Sequence, residues 1–235
     1  MGLIVLNGGT FDDIQNAVNS MKFRDAQKVN YADALQLIGA FSGNSPIVFP
    51  SGKTGLTIYG SAATELIQNG NGPIFEVEGN HAVSMSDLVL RSSWEGQGEV
   101  APLVLLHNCS RTNLRNLKCL QTNDSFIRLT RDVPDTDTLG TRISYCGALG
   151  PFDGYADTAI DIDGGPWGTV YLYRNIIGNF TIGAHIKNVE YLFLNNGMYR
   201  RCQTGIQIEN LAHPEMQSNW YRNVFPECTN EIVIV

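Results

Sequence analysis

From Ser45 onward the chain alternates apolar and polar positions in short runs, and turn residues separate them. IVF at 47–49, FEV at 75–77, LVL at 103–105 and IRL at 127–129 begin a series. IDI at 160–162, AHI at 184–186, IQI at 206–208 and IVI at 232–234 complete it. Successive intervals are 28, 28, 24, 33, 24, 22 and 26 residues. Each triplet has the period of two expected of a strand with one buried face. A second series follows at a similar offset: LVLRS at 88–92, NLRNL at 113–117, VYLYRNII at 170–177, VEYLFLNN at 189–196 and NWYRNVF at 219–225. Repeats of this length, each with two or three short strands, predict a parallel β-solenoid in which every strand pairs with its equivalent one turn later. A sandwich or jelly roll accepts short strands but gives no reason for the register, and a doubly wound α/β fold needs periodic helices that are missing.

The first 44 residues read differently. In Phe11–Met21, Ile14, Ala17, Val18 and Met21 share one helical face. Thr10 is placed to cap that helix, with Asp12 and Asp13 in its first turn. Tyr31 to Ile38 also suits a short helix through Ala32, Leu35 and Ile38. The expected organisation is a helical cap and lead-in over 1–44, then a solenoid of about eight coils over 45–235.

Composition agrees with this architecture. The chain is 235 residues long, 43% hydrophobic and only 17% charged, with 24 glycines and 21 asparagines. Aliphatic residues would fill a narrow core, while Gly and Asn supply tight and left-handed turns. A net charge of -7 and the lack of any basic run argue against nucleic acid and anionic membrane as partners. No segment is apolar for long enough to insert into a membrane as a helix. The cysteines, Cys109, Cys119, Cys146, Cys202 and Cys228, are odd in number and form no C-x-x-C. They read as buried free thiols in a protein synthesised in a reducing cytoplasm, not as a disulfide framework or zinc site.

The stretches GLTIYGSAATELIQ (55–68) and PIFEVEGNHAVSMSDLVLRSS (73–93) resemble the opening coils of the pectate-lyase-like superfamily. FDDIQNAVNSM (11–21) resembles the helix that caps the first coil there. The resemblance implies an all-β, right-handed parallel β-helix. It also implies a polysaccharide partner, residence on a virion as a tail or surface spike (or secretion), and a homotrimer. Polysaccharide lyases, glycoside hydrolases and phage tailspikes share these patterns, so the activity must be read from the site. The N-T-D and G-H-G motifs of polygalacturonase-like enzymes are missing, the one D-D pair, Asp12-Asp13, falls at the predicted helix start, and HIK at 185–187 only partly echoes their R-I-K. The final strand, Glu231–Val235, presents an apolar edge that either a partner subunit or further chain would cover.

With the triplets facing inward, the residues between them stack outside, about 4.8 Å apart. One column reads Glu76, Val104, Arg128, Asp161, His185, Gln207 and Val233. The other reads Glu78, Leu106, Thr130, Asp163, Lys187, Glu209 and Val235. Outward Val104, Leu106, Val233 and Val235 would favour an oligomer.

Glycoside hydrolysis needs two carboxyl groups, with separations of roughly 6.5–9.5 Å suiting inversion. Asp161 and Asp163 are predicted about 6.6–7 Å apart, and Asp163 and Glu209 about 9.6 Å. These three are therefore the candidate acid and base, with like-charge proximity as a means of holding one protonated. Arg128, Trp167, His185, Lys187, Gln207 and Tyr155 are the candidate substrate contacts. Trp167 could equally be a core residue, and Asp161–His185 and Asp163–Lys187 could equally be cross-strand pairs that only stabilise the surface.

The longest interval holds an enlarged loop, 131–158, whose Asp135, Asp137, Asp153 and Asp157 are candidate calcium ligands. No cofactor is implied, and His81, His107 and His213 have no zinc spacing. Three functions remain open: a spike that hydrolyses a surface glycan, a non-catalytic structural or receptor-binding solenoid, and a polysaccharide lyase.

Overall fold

The computed structural model describes residues 2–23, 32–61, 63–94, 101–120, 125–132, 140–151 and 153–235, except the side chains of 166, 167 and 216–218. The chain is all-β, a parallel solenoid of about seven turns with one α-helix among the described residues. Each turn contributes to three stacked faces. The first is built from Ile47–Phe49, Phe75–Glu78, Val104–His107, Ile127–Thr130, 160–163, 184–187, 206–209 and Asn230–Ile234. The second runs from 3–7 and 34–38 through Thr57–Gly60, 84–86, 113–115 and Thr141–Ser144 to 169–173, 191–195 and Trp220–Tyr221. The third includes Glu65–Gln68, 88–92, 117–120, Gly147–Leu149, Ile176–Gly178 and Met198–Arg200.

The eight strands of the first face match the predicted triplets, while the coil makes about seven turns where about eight were expected. One register also differs. Phe75 aligns with Val104 and Val77 with Leu106, so Val104 and Leu106 point into the core and are fully buried. The outward positions are Leu105 and His107. A slip of one residue exchanges the two sides of a strand. LVLLH has four successive apolar residues, so alternation alone left its register open.

The helix Phe11–Ser20 starts as its sequence predicts. Thr10 Oγ1 accepts the Asp13 backbone N–H at 3.3 Å, and Asp13 accepts the Thr10 N–H at 2.8 Å, closing a capping box. These bonds hold the Asp13 carboxyl below its ordinary range. Phe11, Ile14, Ala17 and Val18 bury the apolar face. Gln15 then bonds both backbone groups of Val48 on one edge of Ile47–Phe49: it accepts from the N–H at 2.7 Å and donates to the carbonyl at 2.9 Å. A side-chain amide thus serves this edge as a neighbouring strand would.

The helix expected over 31–38 is instead a strand, Ala34–Gly43, paired with Leu3–Thr10 on one side and Thr57–Gly60 on the other. Leu35 and Leu37 are buried on alternate positions. So short an apolar run fits either period, and pairing decides between them.

The corner between the second and third faces is a column of single left-handed residues: Asp87, Asn116, Tyr145, Arg174, Asn196 and Arg222. Asn and Asp adopt this conformation readily; for Tyr and Arg it costs on the order of 1 kcal/mol each. Stacking offsets part of that cost, since the Arg174 guanidinium lies 5.7 Å from the Tyr145 ring centroid and 5.2 Å from that of Tyr173. Just inside the corner, buried Asn175 accepts the Cys146 N–H and donates to the Ile143 carbonyl, both at 3.0 Å. It ties one coil to the coil before it. Asn223 repeats the arrangement with the Gly197 N–H and the Leu194 carbonyl.

Candidate functional site

The first face brings together most of the predicted site residues. Arg128, Asp161, His185 and Gln207 stand in one column, and Thr130, Asp163, Lys187 and Glu209 in the next. Strand pairing fixes both columns, because the inward Ile127, Ile160, Ala184 and Ile206 are buried in the core. Arg128 Nε donates to Asp161 Oδ2 at 3.2 Å, and a second guanidinium nitrogen reaches Ser125 Oγ at 3.4 Å. His185 bridges two carboxylates, with Nδ1 3.5 Å from Asp161 Oδ1 and Nε2 2.7 Å from Glu209 Oε1. Gln207 donates to the same Glu209 oxygen at 2.8 Å.

These bonds, that from His185 foremost, hold the Glu209 carboxyl below its ordinary value of 4.5, with smaller help from Lys187. An ionised carboxylate only accepts, so His185 Nε2 carries the proton in this pair. Asp163 accepts from Asn188 Nδ2 at 2.8 Å, and Asn210 donates to Asn188 at 3.1 Å, continuing an amide ladder along the corner.

The first face therefore carries a chain of side-chain contacts, Arg128–Asp161–His185–Glu209. Such a chain stabilises ionised carboxylates. A general acid needs the opposite, a carboxyl held protonated, and Glu209 is displaced in the wrong direction for that role.

A pH dependence follows. Because the folded pKa of Glu209 is depressed, its contribution to stability is present above the ordinary glutamate value and is lost as pH falls through the folded value. Thermal melts of the wild type and Glu209→Gln should therefore converge only as pH falls below the ordinary glutamate value of 4.5. A difference that persists unchanged to about pH 2 would contradict the pairing. The effect is expected to be small because the group is partly exposed.

Tyr155 stands apart from the columns, half-exposed, and acts electrostatically on Arg201. Trp167 belongs to the long strand Ala156–Tyr173, but its side chain lies outside the described residues, as do Asp135 and Asp137 of the enlarged loop. Among the described residues no three His, Cys, Asp or Glu side chains converge as metal ligands. His107, in the position expected of Leu106, pairs through Nδ1 with Thr130 Oγ1 at 2.9 Å and through Nε2 with Asp132 at 3.0 Å.

The second face carries a feature that the triplet series did not reveal. Its outward residues form an open groove of about 500 Å³, lined by Arg115, Arg142, Tyr145, Tyr171, Tyr173 and Phe193, with Asn113, Ser144 and Asn195 among the polar groups. Register creates it: Arg142 stacks on Tyr171, and Tyr171 on Phe193, in successive coils. The Tyr171 and Phe193 rings are nearly parallel, 4.6 Å apart at 11°. Tyr145 and Tyr173 meet edge to face at 5.4 Å. The signal was present in VYLYRNII and VEYLFLNN, where aromatic residues two apart share the outer side of a strand.

Comparison with protein-family models, with curated proteins and with solved structures finds no match to this chain.

Proposed function

We propose that the chain is a right-handed, polysaccharide-recognising solenoid of spike type, akin to the pectate-lyase-like superfamily, and that it binds glycan without cleaving it. The observation that carries this reading is the aromatic platform of Tyr171 and Phe193, set in an open groove among hydroxyl and amide groups. The aromatic stack offers apolar contact to the C–H surfaces of sugars, while Asn113, Ser144 and Asn195 suit their hydroxyls. A groove that runs across several coils suits a chain-like ligand.

Hydrolysis is less well supported by the first face. Arg128 and His185 engage Asp161, and Glu209 is held ionised by His185 and Gln207. The lyase reading needs an unengaged strong base, and Arg128 is committed to Asp161 and Ser125.

A glycan array followed by mass analysis of the incubated ligand tests the proposal. The expected outcome is binding with the ligand recovered intact, and Asp161→Asn, Asp163→Asn and Glu209→Gln each retaining wild-type affinity within about threefold. New reducing ends that disappear in the Asp161 or Asp163 variant would replace this reading with the hydrolase. An unsaturated product would replace it with the lyase.

A further inference from the structure

We infer that the groove on the second face is selective for acidic glycans, with Arg115, Arg142 and Arg174 receiving carboxylate or sulfate groups on sugars that lie across the Tyr171–Phe193 stack. The inference rests on the glycan-binding reading above and names the ligand class of that same site.

Charge distribution is the first support. The chain carries a net charge of -7, yet three arginines gather on three successive coils around this groove. None of its described lining residues is acidic. Elsewhere on the surface arginines find carboxylates: Arg91 pairs with Glu65, Arg128 with Asp161, and Arg200 and Arg201 with Glu227. Among the described residues Arg115, Arg142 and Arg174 have no such ion pair.

Their orientation is the second. The Arg142 guanidinium lies 5.3 Å from the Tyr171 centroid, Arg115 lies 5.7 Å from that of Tyr145, and Arg174 is shared between Tyr145 and Tyr173. A guanidinium whose face rests on a ring keeps its in-plane N–H fork for a bidentate oxyanion. The rings also limit the rotamers, so less entropy is lost when the anion binds.

Spacing is the third. Arg115 aligns with Ser144 and Tyr173 on following coils, while Arg142 aligns with Asn113 before it and Tyr171 after it. Each column thus sets one cation beside neutral hydrogen-bonding groups on coils about 4.8 Å apart. An acidic polysaccharide presents the matching sequence of anionic groups separated by hydroxyls. A nucleic acid presents a continuous line of phosphates and calls for an unbroken basic track, which this chain lacks.

Calorimetric titration of the whole chain decides the matter. The probes are hyaluronate oligosaccharides (carboxylate only), carrageenan oligosaccharides (sulfate only), a neutral β-glucan oligosaccharide and a single-stranded oligonucleotide. At least one acidic glycan is expected to bind about tenfold or more tightly than the neutral one, with affinity falling as salt rises. Which of the two binds identifies the anion. Arg142→Gln should weaken that binding by about tenfold, and Arg142→Lys should restore only part of it because the fork is lost. Circular dichroism of each variant confirms that the coil is intact. If the neutral glycan binds equally well and Arg142→Gln changes nothing, the acidic selectivity is wrong while glycan recognition stands. If no glycan binds, both fall, and preference for the oligonucleotide would overturn both in favour of nucleic-acid binding.

Discussion

Asn175→Ala is expected to destabilise the protein by about 2–4 kcal/mol, lowering the melting temperature by about 5–12 °C. The side chain is almost fully buried and serves the Cys146 N–H and the Ile143 carbonyl, both in the preceding coil. Alanine would leave that donor and that acceptor without a partner in a site closed to water, and each orphaned group costs roughly 1–3 kcal/mol. The loss is local as well as global, because a solenoid's stability is close to a sum over neighbouring coils. Hydrogen exchange at the Cys146 amide should therefore accelerate more than exchange in the first coils. Asn223→Ala is the internal control: it makes the same two contacts, with Gly197 and Leu194, but is only part-buried. Water can replace it there, so its melting temperature should fall by less than half as much. Equal losses at the two positions would show that burial is not the reason Asn175 matters.

The second large effect is on binding. Replacing both Tyr171 and Phe193 by alanine should weaken glycan binding by about thirtyfold or more, equivalent to about 2 kcal/mol. The two rings stack at 4.6 Å on the outer side of the second face, where their removal leaves the core residues Leu172, Leu192 and Leu194 in place. Stability should change little, and affinity should carry most of the loss. Titration of the double variant, beside its thermal melt, separates the two. A fall in melting temperature with unchanged affinity would make the pair a structural stack alone.

Much of the fold was written in the spacing of aliphatic triplets. Ile127, Ile160, Ala184 and Ile206 each align with the next in the structure, so the charged columns between them were correctly assembled from sequence. The alternation failed where it was ambiguous. LVLLH offers two registers, and only the pairing of Leu106 with Val77 and Leu129 selects one. Residues 34–38 offer both a helical and a strand spacing, and the neighbours at 3–7 and 57–60 select the strand.

The aromatic groove was missed for a different reason. Charged residues mark the outward columns of the first face, whereas on the second face Arg142, Tyr171 and Phe193 form a column of the same kind with a single charge. The corner was only half legible. Asn116 and Asn196 follow the expected turn chemistry, whereas Tyr145, Arg174 and Arg222 take the same left-handed backbone although their residue types disfavour it. The separate alignment of YRN at 173–175 and at 221–223 gave the clue, since each places an Arg at the corner and an Asn just within it.

The carboxylates show the limit of spacing most clearly. Distance along and across strands made Asp161, Asp163 and Glu209 a plausible acid–base set. Their chemistry depends on partners, and His185 with Gln207 holds Glu209 ionised.

Chemical-shift mapping of a bound oligosaccharide on the isotopically labelled chain, using the tightest ligand found on the array, locates the binding face. Recognition by the second face predicts perturbations concentrated at Tyr145, Tyr171, Tyr173 and Phe193 and at the arginine side chains of Arg115, Arg142 and Arg174. Perturbations concentrated at Asp161, His185, Lys187 and Glu209, with the aromatic resonances unmoved, would contradict it and return the site to the first face.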